Sequence, residues 1–541
     1  MFDYFRQRNR GWVLSLFSAV CIVYLPFLGN PFVFDDQSLI SGQYERYMHS
    51  FFQFELRCFS YASLGWTRQI FSDVLPHPFR LGNLLVHATN VILLFFLLRQ
   101  LVYAAIPKIE TSSTAIWGAW FGALIFACHP VAVYATGYVV ERSILMATLF
   151  SLVMQLAYLQ GLLTGRKRWL LLAVCAYFIA VFSKEHSVMI PALLVAQTIM
   201  LRTRIVATKG ALGSTLLAVI AISMLVIMRA KGVTGVAYEP LAANSLGQYR
   251  IAESSSMLHA LSVLTQAGLF FKYLLLWLVP NPAWMSVDMR VEFVHSIFAW
   301  QGWLGAIAFT AYGLLGGRLL LRPGWGGLAG LALLYPWLQF MLEFSSIRVQ
   351  EPFVLYRSYL WIPGMMLFIP MLLSKLQRFR TRVLFGLGLI VILLVPLSWN
   401  RLWVFADEYR LWNDAAKLLS DEKETGADRI YYNRGKAELA AQKWEEAIAD
   451  FQRAEMLSPQ LAPIYYILGV ALINTKRYQE ALDQFDAAIK LKSDDASYYY
   501  AKGMSLKRLH QDDLAMRQIE KSCELKNALA CTIVQMSFRK K

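Results

Sequence analysis

Charge is what this chain has least of. Charged residues occupy 16% of its 541 positions, well under the roughly 25% of a soluble domain, while 57% of positions are hydrophobic. Mean hydropathy is +0.43. That balance excludes a soluble globular protein. The apolar run from Gly11 to about Gly29 is long enough to cross a bilayer core and lacks a small-x-small cleavage pattern, so it is expected to be a retained anchor. Cysteine is sparse. Of six, Cys21, Cys58, Cys128 and Cys175 lie in or beside apolar segments, where a small buried thiol needs no further role.

The charge that is present is basic, +16 net, and clustered between apolar runs, as in Arg166-Lys-Arg168, Arg202-Thr-Arg204 and Lys375 to Arg382. Clusters so placed mark cytoplasmic ends of membrane helices better than nucleic-acid contacts, and no nucleic-acid partner is expected. Apolar windows fall near 11–29, 81–104, 114–134, 138–160, 169–184, 187–201, 211–229, 295–316, 325–342, 358–374 and 383–400, about eleven spans. With the N-terminus inside, the basic clusters all fall on the cytoplasmic side, and the odd count puts the C-terminus outside. The run Phe270 to Val279 is short and aromatic and reads as an interfacial or re-entrant helix; its crossing would break the parity. Stretches 30–80, 230–265 and 343–357 become outer loops.

After a connecting segment at 401–428, the pattern changes to soluble helices with a fixed period. Gly435, Gly469 and Gly503 are 34 apart, as are Ala447, Ala481 and Ala515, then Phe451, Phe485 and Ile519, and Leu457, Leu491 and Leu525. This is the tetratricopeptide period, and residues 429–541 read as about three repeats. Trp444 and Tyr478 share a column that becomes Asp512, as suits a polar capping repeat. Cys523 and Cys531 resemble the Cys-x7-Cys of Sel1-like repeats, whose cysteines bridge neighbouring helices; two free thiols in a helical core are the alternative. The predicted architecture is all-α: a polytopic membrane helix bundle (1–400) with a C-terminal helical-repeat domain.

The first loop opens on Asn30-Pro-Phe-Val-Phe-Asp35-Asp36. Paired carboxylates there suit proton abstraction from a hydroxyl or a divalent cation such as Mg or Mn, with Asp36 the metal ligand. They equally suit a helix cap followed by an acidic first turn. Downstream, Arg57, Asn83, His87, Asn90, His129, Glu141, Arg142, Lys184, Glu185 and Arg357 stand at or near ends of apolar segments, where burying them is costly unless they line a wet cavity. Alone, His87 is a helix-packing histidine as readily as a catalytic one, and Lys184-Glu185 can be an ion pair in a tight turn. Together, acids and cations beside a bilayer suit a lipid-borne phosphate, with Arg and Lys on its oxygens.

Phe-Val-Phe-Asp35-Asp36, Pro78-Phe-Arg-Leu-Gly-Asn83-Leu-Leu-Val-His87-Ala-Thr-Asn90, Ala127-Cys-His129-Pro130, Val140-Glu-Arg142-Ser143, Phe182-Ser-Lys184-Glu185, Tyr356-Arg357-Ser-Tyr-Leu-Trp-Ile-Pro363 and Tyr409-Arg-Leu-Trp412 stand in one order. In that order they resemble the transmembrane and tetratricopeptide-repeat-containing O-mannosyltransferases and their bacterial relatives. The resemblance implies a GT-C glycosyltransferase that takes a sugar from a polyprenyl-phosphate or pyrophosphate carrier. Asp35 and Asp36 would then be catalytic, Arg57, Arg142, Lys184 and Arg357 would hold the donor phosphate, and His87, His129, Glu141 and Glu185 would support the site. Ile144 stands where the family has an acid, and Arg357-Ser358 where it has Glu-Arg.

The expected reaction is O-glycosylation of Ser/Thr hydroxyls of a secreted or pilus protein, presented by the repeats. The expected place is a bacterial inner membrane, N-terminus cytoplasmic and repeats periplasmic. The competing reading is a non-enzymatic envelope or pilus assembly scaffold, anchored in the membrane and binding peptides through its repeats. A transporter would call for inverted internal repeats, and none is evident.

Overall fold

The computed structural model describes residues 10–48, 52–71, 75–107, 113–230, 255–349, 351–422 and 424–538, and among these there are helices and no strands. Helices of eight residues or more run, in the first of two compact units, α1 (Arg10–Tyr24), α2 (Cys58–Ile70), α3 (Pro76–Ala105), α4 (Ser113–Cys128), α5 (Arg142–Thr164), α6 (Lys167–Ser183), α7 (Ile190–Met200), α8 (Lys209–Arg229), α9 (Ser255–Leu278), α10 (Trp300–Leu320), α11 (Trp325–Phe340), α12 (Phe368–Lys375) and α13 (Arg380–Val404). The second unit holds α14 (Glu408–Lys417), α15 (Ala427–Ala440), α16 (Trp444–Leu457), α17 (Ala462–Asn474), α18 (Tyr478–Leu491), α19 (Ala496–Arg508), α20 (Asp512–Glu524) and α21 (Ala528–Phe538).

By length and composition, eight helices among the described residues can cross a membrane, or nine when the bent pair Ser113–Cys128 and Pro130–Thr136 is one span. The hydropathy count of eleven differs in three places. α6 has only 17 residues; α7 has 11, after a 3-10 turn at Glu185–Met189; and 358–374 is broken into short turns ahead of α12. In the other direction, Ser256–Leu278 is a continuous apolar helix of crossing length, not a short interfacial one. The count of eleven becomes eight or nine, even or odd with the bent pair, so parity alone does not place the repeats. Most of the 230–265 loop, and the basic N-terminal residues before Arg10, lie outside the described residues.

Close approach of the apolar helices rests on small residues, because lipid supplies no hydrophobic drive between spans. A Cβ at Gly118 on α4 would lie 2.4 Å from Pro370 on α12, and one at Gly330 on α11 would lie 2.2 Å from the Leu320 backbone nitrogen. The break after α4 also has a local cause. Pro130 has no N–H to continue the helix, and the His129 side chain accepts instead from Val131 N at 3.3 Å, giving a 52° bend.

In the second unit the 34-residue columns are contacts. A Cβ at Gly435 would sit 2.7 Å from the Phe451 ring, at Gly469 2.6 Å from Phe485, and at Gly503 2.8 Å from Ile519, so glycine is what lets each helix pair close. Another 34-residue column is purely backbone: Gln442, Lys476 and His510 turn from one helix to the next at φ 60, 63 and 62°. α14 belongs with the repeats, since Arg434 donates to Asn413 at 3.3 Å and the Lys443 ammonium lies 4.4 Å from the Tyr409 ring centre. A disulfide joins Cys523 on α20 to Cys531 on α21, with Cα atoms 4.6 Å apart.

Candidate active site

The first loop returns to the bundle through two buried groups. Asp36 has no exposed surface, and its two carboxylate oxygens accept the amides of Val140 (2.9 Å) and Val139 (3.3 Å). Arg80 lies close enough to attract it, yet gives its own hydrogen bonds to the carbonyls of Asn30 (2.7 Å), Gly137 (2.6 Å) and Pro31 (2.5 Å). Burial pushes the Asp36 carboxyl up to about 7, against the pull of Arg80 and the amides. A carboxylate so enclosed holds loop to helix. It does not fit the divalent metal that the acid pair suggested, and among the described residues no group of three or more His, Cys, Asp and Glu side chains is placed to hold one. Asp35, by contrast, is exposed. Its amide donates to the Tyr138 hydroxyl at 3.2 Å, and the Tyr138 phenol is held well above its ordinary range by burial and then by the charges of Asp35 and Asp36.

Arg142 is likewise occupied by the scaffold. Its guanidinium donates to Asn83 Oδ1 (2.8 Å), Ser63 O (3.1 Å), Thr67 Oγ1 (2.9 Å) and Phe79 O (2.7 Å), which ties α5 to α2 and α3. The two histidines are core groups too. His87 pairs with the Tyr359 hydroxyl at 2.6 Å and the Ala127 carbonyl at 3.2 Å, and His129 stacks on Trp277 at 4.2 Å. Of the expected phosphate-binding and supporting residues, Arg142, His87 and His129 therefore have structural partners instead.

The rest converge. Lys184, at the end of α6, donates to Glu141 Oε2 at 2.5 Å and Ser143 Oγ at 3.2 Å, and its ammonium lies 4.6 Å from the Tyr356 ring centre. Arg57 makes a two-point pair with Glu185 at 3.0 and 2.5 Å. Burial alone would raise the Glu185 carboxyl, but Arg57 and His186 hold it well below the usual carboxylate range. His186 sits between two acids, 3.6 Å from Glu185 and 3.5 Å from Glu343, and Glu343 binds Arg357 at 2.9 Å with Arg348 at 3.5 Å. Tyr356 lies beside Tyr138, ring centres 6.5 Å apart, so aromatic rings join this ionic cluster to Asp35. Most of the cluster is buried, but the Arg57 side chain keeps 36% of its surface exposed and Glu185 keeps 23%. That exposed pair is the opening.

Glu343, Arg348 and Tyr138 were not singled out from the sequence. Glu343 had a signal: it is the sole acid in the apolar stretch Trp325–Ser345, and an ionisable group there marks a functional cavity.

Comparison with known proteins adds the repeats and little else. A family profile described as Tetratricopeptide repeat matches residues 432–496. No curated protein matches. Among solved structures, the archaeal oligosaccharyltransferase AglB from Archaeoglobus fulgidus, in complex with an inhibitory peptide and a dolichol-phosphate, aligns at 14% identity and TM-score 0.39, covering 80% of this chain and 60% of its own. MamA aligns at 20% identity and TM-score 0.21, covering 29% of this chain and 83% of its own. The APC/C hetero-tetramer Cut9-Hcn1 aligns at 13% and 0.23, covering 96% and 98%. Likenesses this loose carry no functional argument.

Proposed function

We propose that this protein is a membrane glycosyltransferase that moves a sugar from a polyprenyl-phosphate carrier to a hydroxyl of an acceptor polypeptide. The observation that carries the reading is the cluster of Arg57, Lys184, Arg348 and Arg357 with Glu141, Glu185 and Glu343 at one end of an apolar helix bundle. Ion pairs this buried are poor stabilisers, because desolvation offsets their attraction. Charged groups at membrane depth are kept for what they bind.

In the proposed reaction the acceptor oxygen attacks the anomeric carbon and gives its proton to the Asp35 carboxylate. The bond from that carbon to the phosphate oxygen breaks, and polyprenyl phosphate leaves with the electron pair, inverting the anomeric centre. Lys184 and Arg57 meet the growing charge on the phosphate, and no step requires a metal. The repeats hold the polypeptide, as such arrays commonly do. Their disulfide is of the kind that persists in an oxidising compartment, which supports repeats outside the cytosol, as in the periplasm beside a bacterial inner membrane.

The test is transfer by the full-length protein in vesicles, using a panel of polyprenyl-phosphate sugars and secreted proteins, read by intact mass. Wild type adds one sugar mass, and Lys184→Met abolishes the addition. If no donor yields an addition while the repeats still capture envelope proteins, the scaffold reading, which the repeat match favours, replaces this one.

A further inference from the structure

Next to the exposed Arg57–Glu185 pair lies an aromatic face that the proposed chemistry does not use. Phe52 and Phe54, just before Arg57, are 40% and 38% exposed. Phe52 packs on Phe59 (5.6 Å between ring centres), Phe178 (5.6 Å) and Phe182 (5.8 Å), and Phe54 packs on Phe182 (5.7 Å). The rings are tilted or edge-on to one another, with interplanar angles from 35 to 76°, so their upper surface is corrugated. Cations stand by it: Arg57 follows Phe54 by three residues, and the Arg229 guanidinium lies 4.3 Å from the Phe54 ring centre. Phe182 also stands two residues before Lys184, so the buried end of this face leads into the ionic cluster.

An apolar surface edged by cations complements a molecule with an anionic head and an apolar chain. We propose that the Phe52/Phe54 face, three residues before Arg57 in the chain, holds the first isoprene units of a polyprenyl phosphate while the phosphate meets Arg57 and Lys184, with Arg229 at the rim of the face. An isoprenoid fits this surface better than a straight acyl chain. Its flat alkenes lie on ring faces, and its methyl branches enter the gaps between tilted rings. The inference rests on the reading of the ionic cluster as a carrier-phosphate site and adds the chemistry of the chain.

The experiment measures binding without a sugar, so it stands apart from transfer. The full-length protein in nanodiscs is offered equal polyprenyl phosphate and dioleoyl phosphatidic acid, and retained lipid is read by native mass spectrometry. Wild type is expected to retain polyprenyl phosphate in preference by on the order of tenfold. Phe52→Ala/Phe54→Ala should lose that preference, and Phe52→Leu/Phe54→Leu, which keeps the face apolar but removes the rings, should keep only part of it at wild-type melting temperature. Equal retention of the two lipids by wild type, or an undiminished preference in the folded leucine variant, overturns the inference. Selective binding without sugar transfer would leave it standing and sink the transferase instead.

Discussion

Adjacent carboxylates in one loop should fail in opposite ways. Replacing Asp36 with Asn keeps the shape but turns one oxygen into an NH2 group, which must then face the amide of Val139 or Val140, both of which donate to the native side chain. One hydrogen bond becomes a donor-donor clash, worth about 1–3 kcal/mol. Burial already raises this carboxyl to about 7 against the pull of Arg80, so losing its charge adds nothing further to that cost. Asp35→Asn changes an exposed side chain paired with the Tyr138 phenol, and because Asn keeps an oxygen for that phenol the stability should shift by only about 0.5 kcal/mol. Removing a general base, however, costs on the order of 10²- to 10⁴-fold in rate. Both variants, purified in detergent, would be followed by thermal unfolding and by sugar transfer in vesicles. The expected pattern is a lowered melting temperature for Asp36→Asn and a lost rate at unchanged melting temperature for Asp35→Asn. An Asp36→Asn protein that melts like wild type yet transfers nothing would make Asp36 the chemical group and refute the assignment; full transfer by Asp35→Asn would refute it from the other side.

Arg142→Lys cannot reproduce the fork to Asn83, Ser63, Thr67 and Phe79, so it should destabilise by about 1.5–3 kcal/mol; an unchanged melting temperature with weakened donor binding would return Arg142 to the phosphate. Gly469→Ala places a methyl 2.6 Å from the Phe485 ring, and overpacking of about 1–3 kcal/mol should outweigh the gain of up to about 1 kcal/mol in helix propensity, seen as a lower unfolding midpoint of the repeats. Glu438 is buried, and burial, then the nearby charge of Asp450, raises its carboxyl to about 7 in the folded chain. The native state therefore binds a proton that the unfolded chain has already lost, so stability falls as pH rises from about 4.5 towards 7 and stays low above. Glu438→Gln should flatten that slope and gain ~1–2 kcal/mol at pH 8, and an equal slope in variant and wild type by denaturant titration at pH 5, 6, 7 and 8 would show that another group carries it.

What the sequence made legible is whatever one residue type announces by itself. Lys184, Glu141 and Arg357 stand out because ionisable groups are rare in apolar segments, and the structure does gather them. It does not treat Arg142 the same way, although Arg142 looks the same in sequence. Lys184 meets an acid and a phenol, while Arg142 meets two carbonyls, an amide oxygen and a hydroxyl, and those partners come from residues 63–83, sixty to eighty positions away. Hydropathy averages over local breaks in the same way: the apolar window 187–201 covers part of the 3-10 turn at Glu185–Met189 and a helix of only 11 residues.

The repeats show where legibility ends in physical terms. Gly435, Gly469 and Gly503 form a readable column because each must admit a ring or branched side chain against its Cα, and only one residue type does that. Gln442, Lys476 and His510 adopt left-handed backbone at the same 34-residue spacing, yet share no side-chain chemistry. The turn asks only for a φ that a non-glycine residue reaches at a cost of about 1 kcal/mol or more, which the packed helices on either side can bear. A column held by side-chain contact is written in residue type, whereas a column held by backbone geometry is written only in its spacing from the columns that are.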